Sequence, residues 1–171
     1  CGIFMVTVLL GAFLGSGGKE VTPKDKCLDI KLHSTATAEA IGEYQPYLKS
    51  STLRSLSASL QGILTNTASQ MGSYMEQTYG EKEANTPDQA AIDKANTAKD
   101  VLKNDLFEAK INGLLDRVFS HKMTLEIYSI MSDEGSLNKD TKDANLQSLL
   151  SNSFDSLNNL YTQFNDFSET K

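Results

Sequence analysis

The chain has 171 residues, a formal net charge of −6 and only two cysteines. This length suits a single domain with a sizeable hydrophobic core. Acidic residues outnumber basic ones and are interspersed with them, which argues against a nucleic-acid partner. A polar, acidic and cysteine-poor composition is typical of proteins of the bacterial cell envelope or extracellular surface, and we expect that location.

The first eighteen residues form a separate segment because they carry no charged side chain. Cys1 stands where lipoprotein maturation leaves a cysteine whose thiol carries a diacylglycerol; a chain trimmed for another reason is the alternative. An apolar run at residues 3–14 follows, and the glycine-rich residues 15–18 separate it from the polar remainder. Twelve residues are too few to span a bilayer, which takes about 20 helical residues. We therefore predict an anchor or assembly segment at residues 1–18, with lipid attached at Cys1.

The apolar run predicts contact with membrane lipid or with neighbouring subunits, or packing against the chain's own core. Acyl chains on Cys1 and the run would act together, since a single weak anchor binds membranes only reversibly. The predicted membrane or assembly contacts are Ile3, Phe4, Val6, Val8, Leu9, Leu10, Phe13 and Leu14.

Residues 19–34 are predicted to form a linker and a short strand. The charged residues 19–26 include a proline and indicate an extended linker. Apolar and polar residues alternate at 27–33, which is the period of two that a strand requires. A helical domain follows at residues 35–171, and its first helix runs to about Leu48.

Two long amphipathic helices are predicted in the middle of the chain. Apolar residues at three-four spacing extend from residue 51 to Gly80, which we expect to cap the C-terminus of this helix. A second helix is predicted to begin at Thr86, which caps its N-terminus and is followed by proline in the first helical position. Its apolar stripe continues to about Phe119, with Gly113 as a candidate kink.

The segment at residues 121–131 has two interpretations, because its pattern suits either a strand or a continued helix. As a strand it would pair with residues 27–33 in a two-stranded ribbon. A turn is predicted at residues 133–136 in both cases. The last helix begins at residue 140 or 141 and carries the strongest apolar stripe. Its predicted core residues include Phe154, Leu157, Tyr161 and Phe164.

The sequence thus predicts a mainly α protein: a helical bundle of three to four helices, with a short two-stranded β ribbon in one of the two interpretations. His33 and His121 are the only histidines, and no HExxH or CxxC pattern accompanies them. We therefore expect two surface histidines, no metal site and no cofactor. No phosphate-binding loop or nucleophile elbow occurs either, and Cys27 is expected to be a small buried side chain.

These features favour a non-catalytic, membrane-anchored envelope subunit that binds partner proteins in an oligomeric, multi-subunit assembly. Its expected partners are membrane lipid, neighbouring protein subunits, or both. One alternative is a secreted filament or surface-structure subunit whose N-terminal apolar segment is buried between neighbours. Another alternative is a helical pore-forming protein that inserts residues 3–14. An enzyme is not expected.

Overall fold

The computed structural model describes residues 21–84 and 88–169, which fold into five long helices with short connections. In chain order the elements are α1 (Pro23–Tyr44), a 3-10 turn (Gln45–Tyr47), α2 (Ser51–Tyr79), the single turn α3 (Glu81–Ala84), α4 (Gln89–Ile111), α5 (Leu115–Asp140) and α6 (Ala144–Glu169). The two described ranges contain no β-strand. The protein is therefore mainly α, as predicted, but these ranges contain five long helices instead of three or four.

α1 begins where a linker and a strand were predicted. The Thr22 hydroxyl accepts a hydrogen bond from the Asp25 amide, and the Asp25 carboxylate accepts one from the Thr22 amide. This reciprocal capping box, with Pro23 in the first helical position, fixes the start of the helix. The strand prediction for 27–33 is wrong because the same apolar residues also fit a helix. The residues that α1 buries include Cys27, Ile30, Ser34, Ile41 and Tyr44.

α5 runs without interruption through the segment that had two interpretations. The helical interpretation of residues 121–131 is therefore confirmed, and the two-stranded ribbon is wrong. The turn predicted at 133–136 is also wrong, because the helix continues to Asp140. Glu134 and Leu137 are fully buried against the other helices, and this packing overrides the local preference of these residues for a turn.

Gly113 separates two helices instead of kinking one. Its φ of 72° lies in the left-handed region that glycine adopts without strain. The Leu114 amide donates to the Ala109 carbonyl at 2.8 Å, and the Gly113 amide donates to Lys110. These two bonds form the Schellman arrangement that terminates α4. The helix predicted to reach Phe119 therefore ends at Ile111.

α2 and α6 follow their predicted stripes closely. α2 is capped by the Ser50 hydroxyl and ends at Gly80. α6 begins at Ala144, a few residues later than predicted, because the Asp143 carboxylate accepts hydrogen bonds from the Asn145 and Leu146 amides. In the predicted stripe of α6, Leu157 and Phe164 are fully buried, while Phe154 and Tyr161 are partly buried.

Four of the long helices form a ring in the order α1, α2, α6, α5, and each is antiparallel to both neighbours. α4 lies outside this ring, where it packs against α1 and α5. α4 runs parallel to α1. Lys99 pairs with Glu39, and farther along both helices Lys103 pairs with Glu43. The proximal end of the bundle contains the start of α1, and the distal end contains the turn between α4 and α5.

The interior of the ring contains a layer of polar side chains between two apolar clusters. The larger cluster includes Phe119 and Phe164, and the smaller one, at the proximal end, includes Cys27 and Met71. Each helix of the ring contributes one buried polar residue to what we call the polar layer: Ser34, Thr67, Glu134 and Ser153. Thr67, Ser153 and Glu134 are joined by hydrogen bonds, whereas the Ser34 hydroxyl and Glu134 Oε2 have no hydrogen-bond partner among the described residues. Because burying a polar group costs free energy unless it is hydrogen-bonded, the bonded residues favour one register of α2, α5 and α6.

Candidate functional site

A partly open cavity of about 60 Å³ lies between α4 and the ring. Its apolar wall is made by small and aliphatic side chains, namely Leu32, Ala36, Ala91, Ala95, Ala98 and Leu102. Its polar wall contains Asp29, His33, Thr37, Lys94 and Glu126. The three alanines of α4 share one face, and their small side chains leave space between α4 and the ring. The cavity is therefore amphipathic.

His33 is held on the polar wall by two carboxylates of α5. Its Nε2 lies 2.7 Å from Glu126 Oε2, and its Nδ1 lies 4.0 Å from Asp133 Oδ2. The Thr37 hydroxyl also donates to Glu126 Oε2, at 3.4 Å. When Glu126 is ionised it can only accept, so Nε2 carries a hydrogen and donates it. Nδ1 is buried and has no hydrogen-bond partner among the described residues.

Burial governs the ionisation of this cluster. It raises the pKa of both Asp29 and Asp133, and repulsion acts in the same direction, from Asp25 and Asp88 on Asp29 and from Asp29 on Asp133. It lowers the pKa of the Lys94 ammonium, while Asp29 and Asp133 partly oppose that effect. Desolvation disfavours the charged forms of Asp29, Asp133 and Lys94. The cluster thus holds charges that are incompletely compensated, which is common at binding sites.

A second titratable group lies inside the polar layer. Glu134 is fully buried, and its Oε1 accepts a hydrogen bond of 2.6 Å from the Ser153 hydroxyl. Ser153 in turn lies 2.8 Å from the Thr67 hydroxyl. Burial raises the pKa of Glu134 to about 7. Because no cation faces this carboxyl in its described surroundings, the group acts as a neutral structural element at acidic pH.

A patch of exposed apolar side chains lies at the distal end. Phe107 and Ile111 follow each other by one turn on α4, and Leu114 lies in the turn after it. The Lys110 ammonium sits over the Tyr47 ring at 3.1 Å from its centroid, which joins the 3-10 turn to the end of α4. Tyr47, Phe107, Ile111 and Leu114 are each between 52% and 67% exposed. We call these four residues the distal surface.

Hydrogen bonds hold the backbone beneath the distal surface in place. The two carboxylate oxygens of Asp116 accept hydrogen bonds from the Lys49 and Ser50 amides at 2.9 and 2.8 Å. These bonds tie the connection between α1 and α2 to the first turn of α5. Lys49, Lys110 and Arg117 are exposed around this surface, and the exposed Glu108 and the partly buried Asp116 lie beside them, so its rim carries charges of both signs.

The predicted attachment residues lie outside the described residues. This applies to Cys1 and to all eight predicted contacts: Ile3, Phe4, Val6, Val8, Leu9, Leu10, Phe13 and Leu14. Cys27 is a free and fully buried thiol, as predicted. Among residues 21–84 and 88–169, no helix has both the length and the apolar character to cross a membrane. The same ranges hold no group of three or more histidine, cysteine or acidic residues placed to bind a metal ion.

The cluster at the cavity was not predicted. His33 was expected at the surface, whereas only 16% of its side chain is exposed. Its partner Glu126 is 93 residues away in the sequence, so the pair depends on the register of α1 against α5. The alanine spacing at 91, 95 and 98 was the available signal, because it indicates close approach of α4 to another helix. No family model, curated protein or solved structure matches the chain.

Proposed function

We propose that this protein is a non-catalytic, membrane-anchored subunit of the bacterial envelope that binds a partner protein through its distal surface. The observation that carries the proposal is the position of this surface at the opposite end of the bundle from the start of α1. With 22 residues, α1 alone is about 33 Å long. An anchor that precedes α1 therefore leaves the distal surface far from the membrane.

The distal surface has the composition of a protein-binding site. Contiguous exposed apolar groups on a folded domain mark interaction surfaces more often than isolated ones do. Aromatic residues are enriched at the centres of interfaces, and Tyr47 and Phe107 supply two here. The rim carries Lys49, Lys110 and Arg117 together with Glu108 and Asp116, so a partner would match it with charges of both signs around its apolar contact region.

The attachment part of the proposal rests on the sequence of residues 1–18. Cys1 would carry the lipid, and the apolar side chains from Ile3 to Leu14 would add membrane contact or contact with a neighbouring subunit. Each large side chain that is fully covered contributes about 1.5–3 kcal/mol. Cys1→Ser should release the protein from the membrane fraction if lipid is the anchor. Retention of this variant in the membrane fraction would assign attachment to protein packing.

A photo-crosslinking amino acid at position 111 tests the partner-binding part. In cells that express the full chain, we expect a defined adduct of higher mass from position 111. The matched control carries the same amino acid in place of Ser148, which is exposed near the start of α6 and away from the distal surface. An adduct with a second copy would favour the filament alternative. Equal labelling from both positions would contradict the proposal.

A further inference from the structure

We infer that ionisation of Glu134 reversibly separates the helices at the proximal end of the ring, while the distal part of the ring stays packed. The inference concerns where the ring opens, and it does not depend on the partner-binding function proposed above. It rests on three features: the position of Glu134 between the two apolar clusters, the unsatisfied polar atoms around it, and the unequal size of the clusters.

Glu134 lies at the boundary between the two apolar clusters. Leu137, about one turn later on α5, belongs to the smaller cluster together with Cys27. Ile130, about one turn earlier, belongs to the larger cluster. A charge at Glu134 therefore acts on both clusters, and the cluster with less buried apolar surface is the one that separates first.

The surroundings of the Glu134 carboxyl suit a neutral group and not a charged one. The residue is fully buried, and while Oε1 accepts a hydrogen bond from Ser153, Oε2 has no partner among the described residues. An ionised carboxylate can accept about four hydrogen bonds. The Ser34 hydroxyl and Asn138 Oδ1 are likewise buried without a partner in the described part of the chain. Water that enters an opened proximal end would satisfy all of these atoms.

The described parts of α2, α5 and α6 offer no cation to an ionised Glu134. Burial raises the pKa of Glu134 to about 7, and the neighbouring Asp133 carboxylate acts in the same direction. On α2, residues 55–75 include no charged side chain. The charged side chains of α6 nearest in sequence to the polar layer are those of Asp143 and Asp155, and both are acidic.

The titratable groups of α1 do not compensate the carboxyl either, because none of them measurably shifts its pKa. Along this stretch of α1 they are Lys26, Cys27, Asp29, Lys31 and His33. Lys26 pairs with Asp140, and His33 contacts Glu126. An ionised Glu134 is therefore stabilised by water more than by the groups that surround it in the closed ring.

The smaller cluster is the weaker of the two. It contains seven buried residues, whereas the larger one contains twenty. α4 adds Leu102, Leu106 and Ala109 to the larger cluster and none to the smaller. The bonds from the Lys49 and Ser50 amides to Asp116 also hold the distal end together. Partial opening involves the least stable part of a structure first, and here that part is the proximal end.

The expected size of the effect follows from the two acidities of Glu134. Its pKa is about 7 in the closed ring, and its ordinary value is 4.5. Below pH 4.5 the carboxyl is protonated in both states, so the proximal end stays closed. As the pH rises through 7, the equilibrium constant for any opening that exposes Glu134 increases, by roughly 70-fold between pH 5 and pH 8.

Cys27 reports this opening because its thiol is fully buried in the smaller cluster. In the full chain with Cys1→Ser it is the only thiol. Its rate of alkylation by iodoacetamide is divided by the rate for the same chain in urea at the same pH, which removes the intrinsic pH dependence of the thiol. We expect this normalised rate to rise by roughly 70-fold from pH 5 to pH 8.

A thiol in the larger cluster distinguishes partial opening from unfolding of the whole domain. Met123 is fully buried there, so Met123→Cys is made in a chain with Cys1→Ser and Cys27→Ala. At pH 8 its normalised rate should stay at least tenfold below that of Cys27. Amide exchange of residues 146–150 against residues 157–164 gives the same comparison without any substitution. Equal rates in the two clusters by both measurements would overturn the inference.

Two further variants assign the opening to Glu134. Glu134→Gln cannot ionise and should make the normalised rate of Cys27 nearly independent of pH. Asp155→Asn, at an exposed acid of α6, is the matched control and should keep the full rise. Circular dichroism at pH 5 establishes that each variant is folded. A rise that persists in Glu134→Gln overturns the inference, as does the absence of any rise in the chain that retains Glu134.

Discussion

The ring of four helices and α4 are stabilised in different ways. The ring buries large apolar side chains from every one of its helices, and Phe119 and Phe164 pack with their ring centroids 6.5 Å apart. α4 buries only Leu102, Leu106 and Ala109, all in its second half. Ion pairs also join α4 to α1 and to α5. The ring therefore supplies most of the buried apolar core, to which α4 adds three residues, and α4 supplies much of the distal surface and one wall of the cavity.

The largest expected difference between these regions comes from two phenylalanines of opposite burial. Phe164 of α6 is fully buried, whereas Phe107 of α4 is 53% exposed. Phe164→Ala should lower the free energy of unfolding by about 3–5 kcal/mol, which is a large part of the stability of a typical domain. Phe107→Ala should change it by less than about 1 kcal/mol. Urea unfolding followed by circular dichroism measures both, and similar losses would break the distinction.

The polar layer predicts a pH dependence that belongs to the ring alone. The pKa of Glu134 is about 7 in the folded state, above its ordinary value of 4.5. The contribution of this carboxyl to the free energy of unfolding is therefore fully present below pH 4.5, where it is protonated in both the folded and the unfolded chain. That contribution is lost progressively as the pH rises from 4.5 through 7. In this range the Glu134 carboxyl of the unfolded chain ionises readily, whereas the buried carboxyl of the folded protein stays protonated. The loss is on the order of 3 kcal/mol.

Glu134→Gln tests this dependence because it keeps the shape of the side chain and cannot ionise. Relative to the natural protein, the variant should be more stable at pH 8 and similar at pH 4, as measured by unfolding free energies across this range. Glu126→Gln, at the open cavity, is the comparison variant and should lack this gain at pH 8. If Glu134→Gln leaves the pH profile unchanged, the carboxyl is not buried as described.

Hydrogen exchange should resolve the two halves of α4. The amides of residues 91–98 belong to a half-helix without fully buried side chains, so they should open with a lower free energy than the amides of residues 153–160 in α6. Residues 102–109 should be intermediate. Native-state exchange measured by mass spectrometry distinguishes these segments, and equal protection throughout would mean that α4 is part of the cooperative core.

The smallest expected effect concerns the ion pairs that hold α4. Lys99→Ala removes the pair with the half-exposed Glu39 and should cost less than about 1 kcal/mol. That cost should shrink further in 1 M salt, because exposed charges are screened there. Unfolding at low and high salt measures the difference. A large effect that does not depend on salt would indicate that the Lys99 side chain stabilises by packing.

The parts of this fold that could be predicted are those that depend on local pattern. α2 and α6 have long apolar stripes and clear caps, and both were located from the sequence. α1 was missed in part because alternating apolar residues at 27–33 suit a strand as well as a helix. Its capping box at Thr22 and Asp25 was the overlooked signal. The contact of His33 with Glu126 could not be predicted, because it depends on how two distant helices align.

The order of the helices around the ring has a consequence for biosynthesis. α6 follows the other three helices of the ring in the chain, lies between α2 and α5, and joins the two halves of the ring. Until it docks, the surfaces that cover Leu150, Leu157 and Phe164 are exposed to water. The ring therefore cannot close on a nascent chain that still lacks α6. A nascent chain that has reached the end of α5 but not the end of α6 therefore exposes apolar surface to aggregation.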